Sequence, residues 1–215
     1  MEELIPLFST PLYIKTLGTQ LPMQVAKDIM EKEEYIRVPA DNGWRTNNSS
    51  LLDKPEYEPL KSLIDYYMNY YAYDIVRMDP NLKLRMVASW CVMHKKGDWA
   101  HRHSHPNSVF SGVLYLKADP SAGEIEFMKA IGTLNLFSPA ILPKVTEYNI
   151  YNSSSWTVTP ADGMLLIFPS CLEHAVNPSK SDEDRFVIAF NYYPTGQIGA
   201  ENGLSKLHFD PWEQY

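Results

Sequence analysis

The order of apolar and polar positions changes character near residue 80, and that change is the first guide to the fold. Before it, "PMQVAKDIMEKEE" and "EYEPLKSLIDYYMNYYAYDIV" place apolar side chains at the three- and four-residue steps of a helix. In the second segment Leu60, Leu63, Ile64, Tyr67, Met68, Tyr71 and Ile75 fall on one stripe, which predicts a helix packed through that stripe onto a sheet. Pro59 suits a first helical turn, and Glu56 and Glu58 put negative charge where the helix dipole favours it. Ahead of both, "LFSTPLYIKTL" reads as a short strand.

From about residue 83, short runs of β-branched and aromatic residues are separated by Gly, Pro, Asn, Asp and Ser. They are "LRMVASWCVM", "SVFSGVLYLKA", "GEIEFM", "TLNLF", "EYNIYN", "SWTVTP", "GMLLIF", "EHAVNP" and "RFVIAFNYYP". None has a helical period, and strands recurring at this spacing predict a sandwich or barrel. The closing "GQIGAENGLSKLHFDPWEQY" is a polar tail with Leu207, Phe209 and Trp212 available to dock it. The pattern thus gives an N-terminal strand and helices over 1–82, a β core over 83–195 and a tail over 196–215, together a single domain.

Composition narrows the picture. A chain of 215 residues, 45% hydrophobic and 21% charged, can bury one good core. No apolar run approaches the length of a membrane span, and "MEELIPLFST" lacks the features of a secretory signal, so a cytoplasmic protein with no membrane partner is expected. Cys91 and Cys171 are too few for a disulfide framework and read as small core residues. A net charge of −7 without any Lys/Arg block argues against nucleic acid or anionic lipid as a partner.

Candidate chemistry begins with the histidines. The chain has six, and "HRHSHP" gathers His101, His103 and His105 at alternate positions. Read alone, this hexapeptide is equally well a polar loop or strand end. A further histidine, His174, stands in "PSCLEHAVNP", and Arg185 then opens the apolar run "RFVIAFNYY". If that side chain points into a β-barrel, it must find an anion, because an unpaired buried charge is prohibitively costly.

The ordered set HxH, "SGVLYLK", "GEIEF", "WTVTPADGMLLIFPS", a lone His and an Arg opening a final strand resembles the iron(II)- and 2-oxoglutarate-dependent oxygenases. Within that superfamily it is most similar to the 2OG-Fe(II) oxygenase branch common in bacteria and in phages of marine bacteria, which has "H-x-H-P" followed by "SGV-x-Y". The resemblance covers roughly residues 85 to 193, with "LFSTPLY" also similar. It implies a double-stranded β-helix, a jelly-roll barrel backed by helices, in keeping with the pattern above. It also implies an oxidoreductase, a dioxygenase that hydroxylates an unactivated C–H bond with release of succinate and carbon dioxide. Iron(II) would be the metal, 2-oxoglutarate the cosubstrate, and dioxygen a second small reactant. The remaining partner would be an unidentified substrate, a small molecule or a protein side chain.

Carried over residue by residue, His103 and His105 match the H-x-D/E element and His174 the distal histidine. These three would be the metal ligands and catalytic residues, with His101 at the rim or behind a ligand. Such a site needs three protein ligands on one face of an octahedron, leaving three positions for cosubstrate and oxygen. Arg185 matches the position that clasps the far carboxylate of 2-oxoglutarate, for which a guanidinium offers two parallel donors. Tyr115 matches a strand tyrosine assisting that carboxylate, and reads equally as a packed core residue.

One departure matters: the usual second ligand is acidic, whereas this chain has His105. Three neutral imidazoles leave the metal its full +2 charge. Three arrangements stay open: a three-histidine site, two histidines with water, or a carboxylate from Glu124 or Glu126. Asn191 could face the pocket, and "FSPAILPKVTEYNIYNSSS" is a candidate lid or a plain insertion. Two other classes also remain: a cupin-type metal protein that does not use 2-oxoglutarate, and a metal-free jelly roll. An inward Arg185 separates the first reading from the cupins.

Overall fold

Two facing β-sheets, one of them backed by helices, make up the chain in a computed structural model that describes residues 2–39, 42–129, 143–199 and 203–209. In order come β1 (Tyr13–Thr16), α1 (Met23–Lys32), β2 (Tyr35–Val38), β3 (Gly43–Thr46) and α2 (Glu58–Asn69). The β-rich part follows with β4 (Lys83–His94), β5 (Ala100–His103), β6 (Phe110–Lys117), β7 (Ile125–Met128) and β8 (Ser155–Val158). It closes with β9 (Met164–Pro169), β10 (His174–Val176), β11 (Arg185–Ile198) and β12 (Leu207–Phe209). The large sheet runs β1-β9-β6-β11-β4-β3-β2, with β12 on the far end of β11, and the small sheet runs β5-β10-β7-β8.

The large sheet is buried on both faces, and its central strand shows how. Along β11, Ile188, Phe190 and Tyr192 join Leu60, Ile64, Met68 and Tyr71 in one core beneath the helices. The alternate residue Val187 packs with Tyr115, Phe127, Val158 and Phe168 in a second core between the sheets. A strand covered on both sides loses its polar alternation, which is why "RFVIAFNYY" reads as one apolar run.

The predicted stripe on the second helix holds through Tyr71 and fails at Ile75. Leu60, Ile64, Tyr67, Met68 and Tyr71 are buried, whereas Ile75 is 40% exposed. Residues Tyr70–Ile75 form a π-helical turn, closed by the Val76 N–H donating to the Tyr71 carbonyl. The wider turn adds a residue to the period and rotates Ile75 off the buried face.

Other departures have local causes. The β2–β3 hairpin, β5 and β12 are strands that the pattern did not announce. "EYNIYN" is a turn instead of a strand: the Asn149 and Asn152 side-chain oxygens accept the backbone N–H groups of Tyr151 and Asn149. Asparagine competes in this way with a sheet ladder. "TLNLF" and Trp212 lie outside the described residues, as do positions 137–142 of the candidate lid. Cys91 is buried as expected, but Cys171 is exposed, at the turn between β9 and β10. Phe209 packs on Tyr193 at 5.2 Å while Leu207 is more than half exposed, so the described part of the tail docks through the Phe209 side chain and the pairing of β12 with β11. Among the described residues, no helix is long and apolar enough to cross a membrane.

Two glycines let the sheets close. A Cβ at Gly112 on β6 would lie 2.5 Å from the Leu166 carbonyl oxygen and from the Phe190 ring. Gly123, before β7, has φ of +89° and would bring a Cβ within 2.3 Å of the Asn177 carbonyl oxygen. Its own carbonyl accepts from Nη1 of Arg185 at 2.9 Å.

Candidate active site

The small sheet brings the distant histidines together. His103 ends β5 and His174 begins β10, and these antiparallel strands pair the two residues directly. His105 lies beyond the strand end, where its backbone N–H donates to the Ser170 carbonyl at 3.0 Å. The ring centroids are 4.4 Å apart for His103 and His174, 5.1 Å for His105 and His174, and 5.2 Å for His103 and His105. One nitrogen from each ring lies within 4.8 Å of the other two, a spacing suited to a single metal ion.

Hydrogen bonds decide which nitrogen each ring can offer. The His103 Nδ1 lies 2.7 Å from the His101 carbonyl oxygen and the His174 Nδ1 3.0 Å from that of Leu172. A carbonyl only accepts, so both Nδ1 atoms carry a proton, and in the neutral ring the lone pair is then on Nε2. For His105 the partner is the Asn191 side-chain oxygen, 2.6 Å from Nδ1. That oxygen also accepts from the Ser111 hydroxyl at 2.7 Å, so Ser170, 2.8 Å from Ser111, donates to it in turn. The result is a buried chain, Ser170 to Ser111 to Asn191, terminating on the imidazole. All three rings are thus oriented from behind with Nε2 free, which is how protein metal sites fix their histidine tautomers.

Burial reinforces this state. His174 sits among Phe127, Phe168 and the other two histidines, and burial above all pushes its pKa down to about 3. His105, stacked 6.0 Å from Trp90, is shifted in the same direction, again chiefly by burial. Neutral imidazoles near pH 7 are the ligand form that a divalent metal requires. The donor set therefore fits iron(II).

Neither acidic alternative is in the cluster. On β7, Ile125 and Phe127 face the core between the sheets, so strand alternation turns Glu126 to the other face. Glu124 accepts from the Thr159 hydroxyl near the surface, at 3.3 Å. His101 is exposed and lends its carbonyl, while an ion pair between Arg102 and Glu173 ties the His103 strand to the residue before His174.

A cavity of about 390 Å³ opens beside the cluster, within the range of small-molecule sites. His103, His105 and Asn191 line it together with Trp44, Arg45, Trp90, Val92 and His94. Trp44 and Arg45 come from the unannounced β2–β3 hairpin, which pairs with β4 and so forms one wall.

Arg185 is 3% exposed and points between the sheets. Its Nη1 donates to the Ala122 and Gly123 carbonyls at 3.2 and 2.9 Å, and its Nη2 to Nδ1 of His94 at 2.6 Å. The guanidinium carbon lies 5.9 Å from the centroid of the Tyr115 ring, itself 2% exposed. Burial lowers the Arg185 pKa and raises that of Tyr115. No carboxylate pairs with this buried cation among the described residues, and its Nε–H has no acceptor there. The His94 ring stands between Arg185 and the cavity, and sequence reasoning passed it over. Its only sequence signal is a position on β4 in phase with the inward Trp90 and Val92.

Residues 88–191 match the family model described as "Putative 2OG-Fe(II) oxygenase". Over those residues the chain carries the domain of the iron(II)- and 2-oxoglutarate-dependent oxygenases. Iron(II) and 2-oxoglutarate are the cofactor and cosubstrate of that family, and the two facing sheets form its double-stranded β-helix.

Solved structures share this oxygenase fold at low identity. An oxidoreductase of the 2OG-Fe(II) oxygenase family from Burkholderia pseudomallei aligns with a TM-score of 0.59 at 13% identity, over 84% of this chain and 83% of that one. HygX from Streptomyces hygroscopicus, solved with nickel, 2-oxoglutarate and hygromycin B, gives 0.59 at 14% identity, over 86% and 84%. A Trichoplax adhaerens prolyl hydroxylase, in complex with a hypoxia inducible factor oxygen degradation domain peptide fragment, gives 0.58 at 13%, over 86% and 84%. No curated protein sequence matches the chain.

Proposed function

We propose that this oxygenase hydroxylates an unactivated C–H bond of its substrate, with His103, His105 and His174 as the iron ligands. The observation that carries the reading is the set of three clustered imidazoles, one nitrogen of each within 4.8 Å of the others, whose Nδ1 atoms are all committed to acceptors so that Nε2 is the nitrogen left to ligate. The chemistry supplied by iron(II) with 2-oxoglutarate and dioxygen is oxidation of substrate coupled to release of succinate and carbon dioxide.

The chain's own residues bind, orient and shield. Asn191 and the two backbone carbonyls hold the rings in the ligating tautomer. Arg185 supplies the positive charge for the far carboxylate of 2-oxoglutarate, with Tyr115 packed against it. A buried guanidinium without a carboxylate partner is costly, and an anionic cosubstrate relieves that cost. The inward Arg185 also favours this reading over a cupin that has no use for 2-oxoglutarate. Trp90, Phe127 and Phe168 keep bulk water from the rings. Trp44, Arg45 and Val92 leave a wall against which a small molecule or an exposed side chain of a protein can lie. Two free thiols, Cys91 and Cys171, suit a reducing cytoplasm.

The test is anaerobic addition of iron(II) and then 2-oxoglutarate to the full chain, watching for the weak visible charge-transfer band of the chelate. Wild type should develop the band, and His103→Ala and His174→Ala should lose it together with iron binding. Wild type that binds iron but shows no band would remove 2-oxoglutarate from the account.

A further inference from the structure

Arg185 and His94 lie directly opposite each other on β11 and β4, and the bond between them fixes the chemistry of the histidine. A guanidinium has donors only, so Nδ1 of His94 must be the acceptor and Nε2 must carry the hydrogen. That Nε2–H is buried and meets no acceptor among the described residues. His94 is 1% exposed, yet it lines the cavity shared with His103 and His105. A buried donor left unsatisfied is expensive, and this one borders the cavity beside a buried cation that lacks an anion.

Three of the five Arg185 N–H donors are engaged, by two carbonyls and by His94, its Nε–H is buried, and Arg185 is not among the residues that line the cavity. Resting on the oxygenase reading above, we propose that His94 is the cavity-side donor to the far carboxylate of 2-oxoglutarate, with Arg185 behind it as the charge and positioning residue. The ligand class is a carboxylate oxygen, because the site presents an N–H beside a positive charge. The guanidinium polarises the imidazole through Nδ1 and holds the ring so that Nε2–H faces inward. Burial, and secondarily Arg185, lowers the pKa of His94 to about 3, so the ring donates from one nitrogen while accepting at the other.

The experiment measures anaerobic dissociation constants on the iron(II)-loaded full chain, from the charge-transfer band. The ligands are 2-oxoglutarate and 2-oxopentanoate, which keeps the chelating keto acid but lacks the far carboxylate. His94→Phe should bind 2-oxoglutarate roughly ten- to hundred-fold more weakly, the usual worth of a hydrogen bond to a charged group. Its affinities for 2-oxopentanoate and for iron(II) should be unchanged. His94→Gln, which can accept from Arg185 and still donate, should recover part of the loss and covers the case of an unstable Phe variant. If His94→Phe and His94→Gln bind 2-oxoglutarate as wild type does, or lose both keto acids equally, the assignment of His94 is wrong while the oxygenase reading stands. Absence of the band in wild type would overturn both.

Discussion

Asn191 shows how much of the proposed metal centre rests on residues that would never touch the metal. Its side-chain oxygen receives one hydrogen from His105 and one from Ser111, and among the described residues no other side chain hydrogen-bonds Nδ1 of His105. Removing it leaves the imidazole free to rotate or to shift its proton to Nε2, where the lone pair is needed. Asn191→Ala should therefore weaken iron(II) binding by roughly 10- to 100-fold, the usual cost of losing such a partner. Direct titration with iron(II) or manganese(II), alongside a circular dichroism spectrum to confirm folding, checks this. Binding unchanged from wild type would show that the backbone alone orients His105. The same residue marks the limit of the sequence: "AFNYY" places an asparagine on a core strand, but only its spatial partner gives it a task.

At the scale of elements, the site depends on how closely β6, β9 and β11 approach. Gly112 sits where β6 meets both neighbours, and any side chain there collides with the Leu166 carbonyl and the Phe190 ring. Gly112→Ala should destabilise the fold by about 1–3 kcal/mol, as overpacking does, and should lower the midpoint of urea unfolding with little change in slope. An unaltered midpoint would mean that the sheet gives way without strain. The strand assignments rested on local composition, and they failed where local chemistry had a competing option. "EYNIYN" has strand residues but also two asparagines that satisfy the backbone within a turn. The β2–β3 hairpin had no sustained alternation to announce it, yet it supplies Trp44 and Arg45 to the cavity wall.

For the whole molecule, burying histidines in neutral form makes stability depend on pH. The pKa of His94 is about 3 in the folded chain against 6.5 ordinarily, so between these values the unfolded chain binds a proton that the native chain refuses. The contribution is fully present above about pH 6.5 and is lost as pH falls toward 3, by up to roughly 1.4 kcal/mol per pH unit. His174 has the same sign in the metal-free protein. Asp65, whose pKa burial raises, opposes them at lower pH. Metal-free protein should thus unfold at lower urea concentration at pH 5.5 than at pH 7.5. Equal midpoints would show that these rings titrate normally and are more open to water than their burial implies.

What the sequence determined by itself is whatever depends on residue type and short spacing. A helical stripe from Leu60 to Tyr71 and short β runs beyond residue 83 were enough to indicate helices packed on a sandwich or barrel, because period and composition act locally along the chain, and the ordered set from "HRHSHP" to Arg185 carried the resemblance to a family. Tertiary structure alone decided which nitrogen each imidazole presents, that Glu124 and Glu126 stand outside the cluster, and that Arg185 meets the cavity across His94. Those facts depend on strand register and on the direction of individual hydrogen bonds. Both are set by contacts between residues tens of positions apart, for which a linear pattern carries no term.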